Sequence, residues 1–483
     1  MLPFLSSTHT LRNLVGGIVI LYILISSYHL TKTWRYPTRP DLTFKQDNSI
    51  DCAAFPFPPN LVLSLKTGAT EAPSKLPLQL LTNLACAPSP LIFSDLSQRL
   101  GSHHLIDVLA SLPSSVTDNN TDFDVYFKQK EYASQHRDIR PLSALPDLRA
   151  DWRTAGHNAA WALDKYKFLP MVLAAWEAEP NRDWYLFTET DSYISWANLQ
   201  RMLGHYDPGT PLYIGNPVRL HAEVPEREFY MAHGGSGILL SGAAMRAFAD
   251  KFGDEKTAER WHARAKDMWY GDFVLAAFLD EELDLQITPA WPIMSRETPR
   301  TAVYGEETWC KPVVVLHHMR PEEVSEMWEF ELSRWGSELR ETPLLHKELF
   351  KDFVANEDLG ARRDDWDNMS GERRFAVPLP PSANTSATEP DPVTSVEACG
   401  EACEVMDECL QYTFVAVNTT EIGTCWLSSV VRTGEAKPVE PVPDRAETRR
   451  WQSGWMDKRI RRWVDKQSCD GVPLSWKGEL PPQ

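Results

Sequence analysis

Between residues 60 and 320, apolar runs alternate with short polar turns, and the lengths of these runs predict alternating strands and helices. The first run, "NLVLSLKTGAT", is an apolar strand that ends at Lys66, Thr67 and Gly68. A helix, "PSKLPLQLLTNL", and a second strand, "PLIFSDL", follow it. A strand, a helix and a strand at this spacing predict a βαβ unit with parallel strands.

The alternation continues after a polar stretch, roughly 111 to 150, to which the pattern assigns no element. A helix is indicated in "AAWALDKYKFLPMVLAAWEAEP", where Trp161, Phe168, Val172 and Trp176 recur at helical spacing. The chain from about 320 to 370 is charged and helical in pattern. We therefore predict an α/β domain over residues 60–370. Its other elements are predicted in "DWYLFTETD", "SWANLQRML", "PLYIGNPV", "GILL", a helix led by Ser241, "MWYGDFVLAAFLDEEL" and "KPVVVLHHM".

An apolar run, "LVGGIVILYILI", occupies residues 14–25 near the start of the chain. It is a little shorter than the about 20 residues that span a bilayer. We interpret residues 1–13 as a short cytoplasmic tail, 14–30 as a transmembrane signal-anchor and 31–59 as a Pro-rich stem. A cleaved signal peptide is the alternative, although no small-x-small cleavage site follows the run.

Composition indicates an oxidising cellular compartment and argues against nucleic acid as a partner. The net charge of −18 argues against nucleic acid, because phosphate binding needs a basic surface. The cysteines number eight, an even count that suggests disulfides in an oxidising lumen. Glycosylation sequons at Asn119, Asn368, Asn384 and Asn418 agree with this compartment. These features predict a single-pass type II protein of the secretory pathway.

Two carboxylates two residues apart follow the strand "DWYLF", in the turn "TETDSYIS". Glu189 and Asp191 can reach one ion from the same side, and hard oxygen ligands suit Mn²⁺ or Mg²⁺. The carboxyl end of a strand is also where open α/β sheets bind nucleotides. The alternative is that Asp191 or Ser192 caps the helix "YISWANLQRML". The spacing alone leaves both interpretations open.

The segments "DWYLFTETDSYISWANLQRML", "PLYIGNPV" and "MAHGGSGILLSGAAM" closely resemble fungal members of the β-1,3-glycosyltransferase family, which includes core-1 galactosyltransferases and Fringe proteins. The resemblance extends from about residue 60 to 320. It implies a GT-A-like, Rossmann-type α/β sandwich. It also implies that Glu189, Thr190 and Asp191 form the family's Asp-x-Asp-type motif, which binds Mn²⁺ and a UDP-sugar. Because Glu replaces the first Asp, Asp191 is the stronger candidate ligand.

The resemblance implies two further functional positions. A metal-binding histidine at the end of a late strand corresponds to His317 or His318 in "VVVLHHM", and we prefer His317 by its strand position. The family's catalytic base corresponds to Asp272 in "WYGDFVLAAF", where Gly271 and Phe273 replace the usual acid and Val. A helix N-cap is the alternative role for Asp272. Family members invert the anomeric centre in one displacement.

The remaining candidate residues are assigned to the nucleotide-sugar. The resemblance places the "HGGSG" turn at the donor and acceptor site and the "LKTG" turn at uridine, while a tight turn is the alternative for the glycines. The two lysines of "LDKYKF" are candidates for contact with diphosphate, although either could be solvated. The residues proposed for donor binding are Lys66, Thr67, Gly68, Ser94, Asp95, Lys165, Lys167, Thr190, Gly234, Gly235, Ser236 and Gly237.

Residues 371–394 are rich in Pro, Ser and Thr, which is typical of a linker. After them, residues 395–435 carry the spacing C-x3-C-x5-C-x15-C, which resembles the core of PAN/apple domains, and 436–483 form a tail. The resemblance implies Cys399–Cys425 and Cys403–Cys409 disulfides; Cys52–Cys86 and Cys310–Cys469 remain by elimination. A zinc site is the alternative, disfavoured by the lack of histidine in the cluster. The module implies a protein or carbohydrate ligand, or a bracing role.

The sequence therefore predicts a Golgi type II membrane enzyme: a metal-dependent, inverting transferase. It would move a hexose, most simply galactose, from a UDP-sugar to the 3-hydroxyl of a glycan or glycoprotein acceptor. Mn²⁺ is the predicted metal and Mg²⁺ the alternative. The competing hypothesis is a non-catalytic, lectin-like or protein-binding protein with a degenerate transferase fold, because Glu189 and Gly271 depart from the family pattern.

Overall fold

The computed structural model describes residues 52, 55–144, 161–220, 224, 227–335, 337–371, 392–393, 395–417, 423–441 and 447–481. The predicted signal-anchor, nearly all of the stem and most of the linker lie outside these residues. Within the described ranges, no helix is both long and apolar enough to cross a membrane. Pro56–Gln483 forms one structural unit.

The strands are numbered along the described chain. They are β1 Leu61–Lys66, β2 Leu91–Ser94, β3 Gln98–Leu100, β4 His103–Asp107, β5 Trp184–Glu189, β6 Tyr193–Ile194, β7 Tyr213–Gly215, β8 Pro217–Arg219, β9 Tyr230–Ala232, β10 Ile238–Ser241, β11 Ile287–Pro289, β12 Val315–Leu316, β13 Arg363–Asp364, β14 Trp366–Asp367, β15 Pro392–Val393, β16 Gln411–Val417, β17 Gly423–Ser428, β18 Glu435–Ala436, β19 Glu440–Pro441 and β20 Thr448–Trp455.

The α-helices are numbered in the same way. They are α1 Ala72–Leu81, α2 Ser114–Thr117, α3 Asp124–Ser134, α4 Asp164–Ala178, α5 Trp196–Leu203, α6 Gly242–Phe252, α7 Glu255–Ala265, α8 Gly271–Leu283, α9 Pro321–Trp335, α10 His346–Leu349, α11 Val396–Val405 and α12 Asp457–Lys466.

The larger sheet of the described chain has eight strands in the order β11-β7-β10-β5-β1-β2-β4-β3. The predicted βαβ unit is confirmed, because β1 pairs in parallel with β2, and β1 also pairs in parallel with β5. Strands β1, β5 and β10 are almost wholly buried, which explains why they are continuous apolar runs rather than alternating ones. The result is a mixed α/β layer structure.

Helices α4 and α8 pack together over this sheet and complete its main apolar core. Both carry apolar residues nearly all round because neighbours surround them. Phe168, Leu169 and Val172 of α4 and Val274, Leu275 and Phe278 of α8 are buried. The packing aligns the first turns of these two helices with the edge of the sheet where β1 and β5 end.

Two predicted strands differ in the structure. "PLYIGNPV" is not one strand: β7 joins the large sheet, whereas β8 pairs with β9 in a separate ribbon. "KPVVVLHHM" yields only the two-residue strand β12, which pairs with β6 rather than with the large sheet. Apolar runs identify extended chain but not its partner, because pairing depends on distant segments.

The C-terminal cysteines lie in a second sheet, ordered β13-β20-β16-β17-β15 with β19 against β20. This sheet takes in strands on both sides of the 395–435 segment, since Arg363–Asp364 and Thr448–Trp455 belong to it. The predicted disulfides Cys399–Cys425, Cys403–Cys409 and Cys310–Cys469 are confirmed. Cys52 and Cys86 are also disulfide-bonded.

Candidate active site

Strand pairing brings the acidic turn and the end of the first strand together. In the parallel pair β1–β5, Lys66 lies opposite Glu189, so the two strands end at the same edge of the sheet. The Lys66 ammonium lies 3.1 Å from Glu189 Oε1 and also binds Asp164 at the start of α4. Burial lowers the pKa of Lys66, but these carboxylates outweigh burial and raise it. Lys66 is therefore a permanent cation at this edge.

The acidic turn is held from two sides by neutral polar groups. The amide of Gln79 on α1 donates to the carbonyls of Thr190 and Ser192, at 3.0 and 2.8 Å. Ser192 Oγ donates to the carbonyl of Gly235 at 2.7 Å. The helix that follows begins at Trp196 with Ser195 as its N-cap residue. Neither Asp191 nor Ser192 caps that helix, and the capping alternative is wrong.

The two candidate histidines meet this turn because β12 pairs with β6. Leu316 lies opposite Tyr193, and the amide of Met319 donates to the carbonyl of Asp191 at 2.9 Å. One ligand atom each from Asp191, His317 and His318 fall within 4.8 Å of one another. Both histidines thus reach the acidic turn, whereas the sequence offered a choice between them.

Burial and charge control the protonation of this cluster. His317 Nε2 lies 3.1 Å from Asp191 Oδ1 and 3.7 Å from Glu189 Oε2. Burial lowers the pKa of His317, but the two carboxylates outweigh burial and raise it to about 9. Burial raises the pKa of Asp191, but the imidazole and Lys75 reverse this and lower it to about 2. At neutral pH the acids are ionised and balanced by cations.

The "HGGSG" turn lies directly against His317. A Cβ on Gly235 would stand 2.0 Å from His317 Nε2, so only glycine leaves room for the ring. The glycine turn therefore lets the candidate metal ligand approach its backbone closely. Gly237 instead packs against Met294 and Leu186, away from the site. Ser236 is buried and bonds to His233 Nδ1 at 3.0 Å.

Asp272 reaches the same turn from α8. Its Oδ2 accepts a hydrogen bond from the Gly234 amide at 3.1 Å, and its Oδ1 accepts one from the Phe273 amide. Asp272 is the second residue of α8, whose N-cap residue is Tyr270, so the capping alternative is wrong here as well. Burial raises the pKa of Asp272 to about 6. A carboxyl with this pKa can accept a proton at neutral pH.

A cavity of about 800 Å³ connects these groups. Its position at the carboxyl ends of β1 and β5 is the usual place for a ligand on an open α/β sheet. A volume near 800 Å³ is also typical of sites for molecules of cofactor size. Among the predicted residues, the cavity is lined by Lys66, Thr67, Gly68, Lys167, Glu189, Asp191, Gly234, Gly235, Asp272, His317 and His318.

Besides Ser236 and Gly237 of the glycine turn, four other predicted donor-binding residues do not line this cavity. Lys165 points elsewhere, because its ammonium binds Asp122 at 2.9 Å and the carbonyl of Lys266. Ser94 and Asp95 are fully buried beneath the edge, and Asp95 accepts a hydrogen bond from the Ala69 amide. Thr190 faces a neighbouring small pocket on the side of α1.

Three further residues of the lining, which the sequence analysis did not single out, contribute to its charge and hydrogen bonding. Asp164 joins Lys66 and Lys167, lying 2.9 Å from the Lys167 ammonium. Lys75 bridges Glu71 and Asp191 at 2.8 and 3.1 Å. His233 lies next to His317, and burial lowers its pKa to about 3, so it is neutral. The i,i+3 spacing of Asp164 and Lys167 and the i,i+4 spacing of Glu71 and Lys75 were the signals visible in the sequence.

Comparison with known protein families agrees with this geometry. Residues 163–297 match a family model described as Fringe-like. The matched segment runs from the start of α4 through the acidic turn, the glycine turn and Asp272. It therefore contains most of the cavity wall, although β1 and both candidate metal-binding histidines lie outside it. This match supports the resemblance to the β-1,3-glycosyltransferase family, and residues 163–297 are similar to the Fringe-like model.

Proposed function

We propose that this protein is a metal-dependent transferase that moves a hexose from a UDP-sugar to a hydroxyl of a glycan acceptor. The observation that carries the proposal is the convergence on one cavity of three kinds of group. These are an acid–imidazole cluster, a set of buried lysines, and the carboxyl of Asp272 with a raised pKa.

The cluster fits a divalent cation. Within the described chain, Asp191 Oδ1 and both ring nitrogens of His317 are buried and make no hydrogen bond of good geometry. When the imidazole gives up its extra proton, one ring nitrogen offers a lone pair beside the Asp191 carboxylate. One carboxylate oxygen with imidazole nitrogens favours Mn²⁺, with Mg²⁺ as the alternative. Asp191, His317 and His318 would hold the ion, and Glu189 is a neighbour already paired with Lys66. When bound, the ion would neutralise charge on the leaving diphosphate.

The buried lysines suit the nucleoside diphosphate part of the donor. Lys66 and Lys167 are almost completely buried, yet both line the cavity. Each is paired with Asp164, whose single negative charge balances only part of their combined charge. A nucleoside diphosphate entering here would meet two cations at the base and Lys75 at the side. Thr67 and Gly68, at the end of β1, leave space for the nucleoside.

Asp272 is the candidate base in the same cavity. In the proposed step, the acceptor hydroxyl oxygen bonds to the anomeric carbon as the bond from that carbon to UDP breaks. The hydroxyl proton moves to Asp272, so the reaction would invert the anomeric centre. The Gly234 and Phe273 amides orient the carboxylate. Galactose as the sugar and the 3-hydroxyl as the acceptor position are the finer parts of this proposal.

The test measures UDP release by the purified protein with Mn²⁺ and a panel of glycan acceptors, using UDP-galactose, UDP-glucose and UDP-N-acetylglucosamine. We expect turnover of one donor, and a loss of at least about a hundredfold in Asp191→Asn, since Lewis-acid stabilisation is worth several kcal/mol. Asp250→Asn, at an exposed position of α6, is the matched control. Full activity in Asp191→Asn, or no turnover of any donor, would contradict the proposal.

One observation favours a second candidate, a non-catalytic glycan-binding protein. The two acids of the turn are already paired with lysines, Glu189 with Lys66 and Asp191 with Lys75. Such pairs also occur in purely structural charge networks. Calorimetry separates the candidates: UDP binding that requires Mn²⁺ supports the transferase, whereas glycan binding that is indifferent to a chelator, without UDP binding, supports the second candidate.

We also propose that the protein is a type II membrane protein of the Golgi lumen. The disulfides support this, because such bonds persist in oxidising compartments. None of the described cysteines is free. The apolar run at residues 14–25 supplies the anchor in this proposal.

A further inference from the structure

A second and larger cavity separates the transferase half from the C-terminal sheet. Its volume is about 950 Å³, near the upper end of the about 300–1,000 Å³ typical of ligand sites. One wall is the segment from Trp291 to Thr308, another is the end of β17, and the third is α12. We call this space the interdomain cleft.

The interdomain cleft is electrically balanced. Five Arg or Lys side chains and five Asp or Glu side chains line it, and burial lowers the pKa of His346 to about 4, leaving that ring neutral. Two of these guanidiniums already have partners in the protein, and Arg432 lies 3.8 Å from Glu297. Arg459 donates to the carbonyls of Cys403, Met406 and Cys409. A site whose charges balance in this way disfavours an anionic ligand such as a phosphate.

Two tryptophans among these polar groups indicate what the interdomain cleft can hold. Trp291 and Trp463 are both half-buried and line the cleft from different elements, Trp291 from the 291–308 segment and Trp463 from α12. The ring of Trp463 is held edge-on against buried Trp309, with centroids 5.1 Å apart. Ser429 and Gln467 offer a hydroxyl and an amide nearby. Flat apolar rings beside hydrogen-bonding groups match a sugar ring, which has C–H faces and hydroxyl edges.

The interdomain cleft also adjoins the candidate active site. Glu297 lines the cleft, and its carbonyl accepts a hydrogen bond from the His317 amide at 3.2 Å. Asn216 lines the cleft too, and its carbonyl accepts from the His233 amide at 2.9 Å. Two short segments of chain, one at Asn216 and one at Glu297, therefore line the interdomain cleft and support histidines of the first cavity.

We propose that the interdomain cleft binds a neutral oligosaccharide. Trp291 and Trp463 would stack on its sugar rings, and Ser429 and Gln467 would bind its hydroxyls. The oligosaccharide would be the part of the acceptor beyond the reacting sugar, a role that rests on the proposed transferase function. The binding itself does not depend on that function.

The binding test uses the full chain in calorimetry, with a chelator present and nucleotide absent. The probes are linear hexasaccharides of glucose, mannose, galactose and, as the anionic comparison, galacturonate. We expect one neutral probe to bind, and Trp463→Ala to weaken its binding about tenfold or more. Trp463→Phe should retain most of the affinity. The control is Trp335→Ala, since Trp335 is also half-buried but lies outside the interdomain cleft.

Because Trp463 packs against Trp309, thermal unfolding of Trp463→Ala must be compared with that of the unaltered protein. Ser429→Arg offers a second route, because it fills the cleft from a loop between strands and should also weaken binding. Failure of every neutral probe to bind, tighter binding of galacturonate, or unchanged affinity in both folded variants would overturn the proposal. With chelator present and no donor, none of these results depends on transferase activity.

The acceptor role has its own test in transfer assays. If the transferase is active, Trp463→Ala should raise the KM for a long acceptor and leave the KM for a single-sugar acceptor unchanged. An equal effect on both acceptors would overturn the acceptor role, and the binding measurement would still decide whether the interdomain cleft holds a glycan.

Discussion

Asp272 is the residue whose chemistry depends most on its surroundings. Burial raises its pKa to about 6, and the amides of Gly234 and Phe273 limit the rise by hydrogen bonding to the ionised form. The positive charge of Lys66 also lowers the pKa of Asp272, whereas the negative charge of Glu189 raises it. The carboxyl is thus mostly ionised at pH 7 yet basic enough to accept a proton.

The first prediction concerns the pH dependence of transfer. A base works only when ionised, so kcat/KM should fall as the pH falls through about 6 and should level off above it. Asp272→Asn should lower kcat by about 10²–10⁴-fold and remove that limb of the profile. Its free energy of unfolding at pH 7 should be unchanged or higher, because the substitution removes a buried charge.

Glu281→Gln is the control, since Glu281 is an exposed carboxylate of the same helix and pairs with Arg264 at the surface. It should leave the profile unchanged. A rate that does not vary between about pH 5 and 8, or an active Asp272→Asn protein, would remove Asp272 from the mechanism.

The second prediction concerns Gly235. Gly235→Ala places a methyl group on the His317 ring, so the ring must move away from Asp191. We expect Mn²⁺ affinity to fall about 10–100-fold, the usual cost of disturbing the support of a ligand. Titration of Mn²⁺ followed by electron paramagnetic resonance measures this without any substrate.

Gly204→Ala is the matched glycine control. Gly204 is exposed at the end of α5, and an added Cβ would meet only ordinary contact, with the nearest atom at 3.4 Å. Its Mn²⁺ affinity should equal that of the unaltered protein. An equal Mn²⁺ affinity in Gly235→Ala would show that His317 does not ligate the ion.

Short elements, rather than the long ones, assemble the candidate site. Strand β12 has two residues, yet its pairing with β6 carries His317 and His318 to the acidic turn. Helix α1 contributes Gln79 and Lys75 to the same turn from the opposite side. Long buried strands supply the frame, and these short contacts fix the position of the ligands.

The third prediction concerns the disulfide between Cys310 and Cys469, which joins residues 159 positions apart. Cross-linking a long loop restricts the unfolded chain, so replacing both cysteines by alanine should lower the free energy of unfolding by about 2–5 kcal/mol. Both cysteines are half-buried, so little packing is lost with them. Denaturant unfolding of the double variant measures the effect.

Val472→Ala is the control for this disulfide, because Val472 is exposed in the same C-terminal segment. It should leave the unfolding midpoint unchanged. An unchanged midpoint in the Cys310→Ala/Cys469→Ala protein would mean that the sheet contacts alone secure the C-terminal segment.

At the scale of the whole protein, the exposure of its glycosylation sequons provides a test of its cellular location. The sequons at Asn119 and Asn368 differ sharply in the structure. Asn119 is exposed in a turn with a positive φ, whereas Asn368 is fully buried and donates to the carbonyls of Tyr412 and Gly454. The enzyme that attaches glycans needs an accessible amide, so only Asn119 of this pair is suitable.

We predict that Asn119→Gln removes one glycan from protein expressed in a eukaryotic secretory host, seen as a mobility shift abolished by glycosidase. Asn368→Gln should not change the glycan content, but it should destabilise the fold because it disturbs buried hydrogen bonds. Protein that carries no glycan at Asn119 would count against a lumenal location.

Individual strands, helices and disulfides of this chain could be predicted from short stretches of its sequence. The apolar runs of β1, β5 and β10, the helical spacing in α4 and the cysteine spacing near residue 400 each act over a few neighbouring positions, and each was predicted. The acidic turn and Asp272 were also found, because their chemistry is concentrated in short segments that resemble a known family.

Contacts between distant segments could not be predicted from short sequence patterns. Lys75 binds Asp191, which lies 116 positions away in the sequence. Strand β12 pairs with β6 rather than with the large sheet. Lys165 binds Asp122, whereas Lys167 binds Asp164 and lines the cavity. The interdomain cleft likewise joins segments more than a hundred residues apart. Sequence periodicity records which side chains are apolar, but the packed chain alone determines which polar groups meet, because each ion pair or hydrogen bond requires two backbones to be brought together.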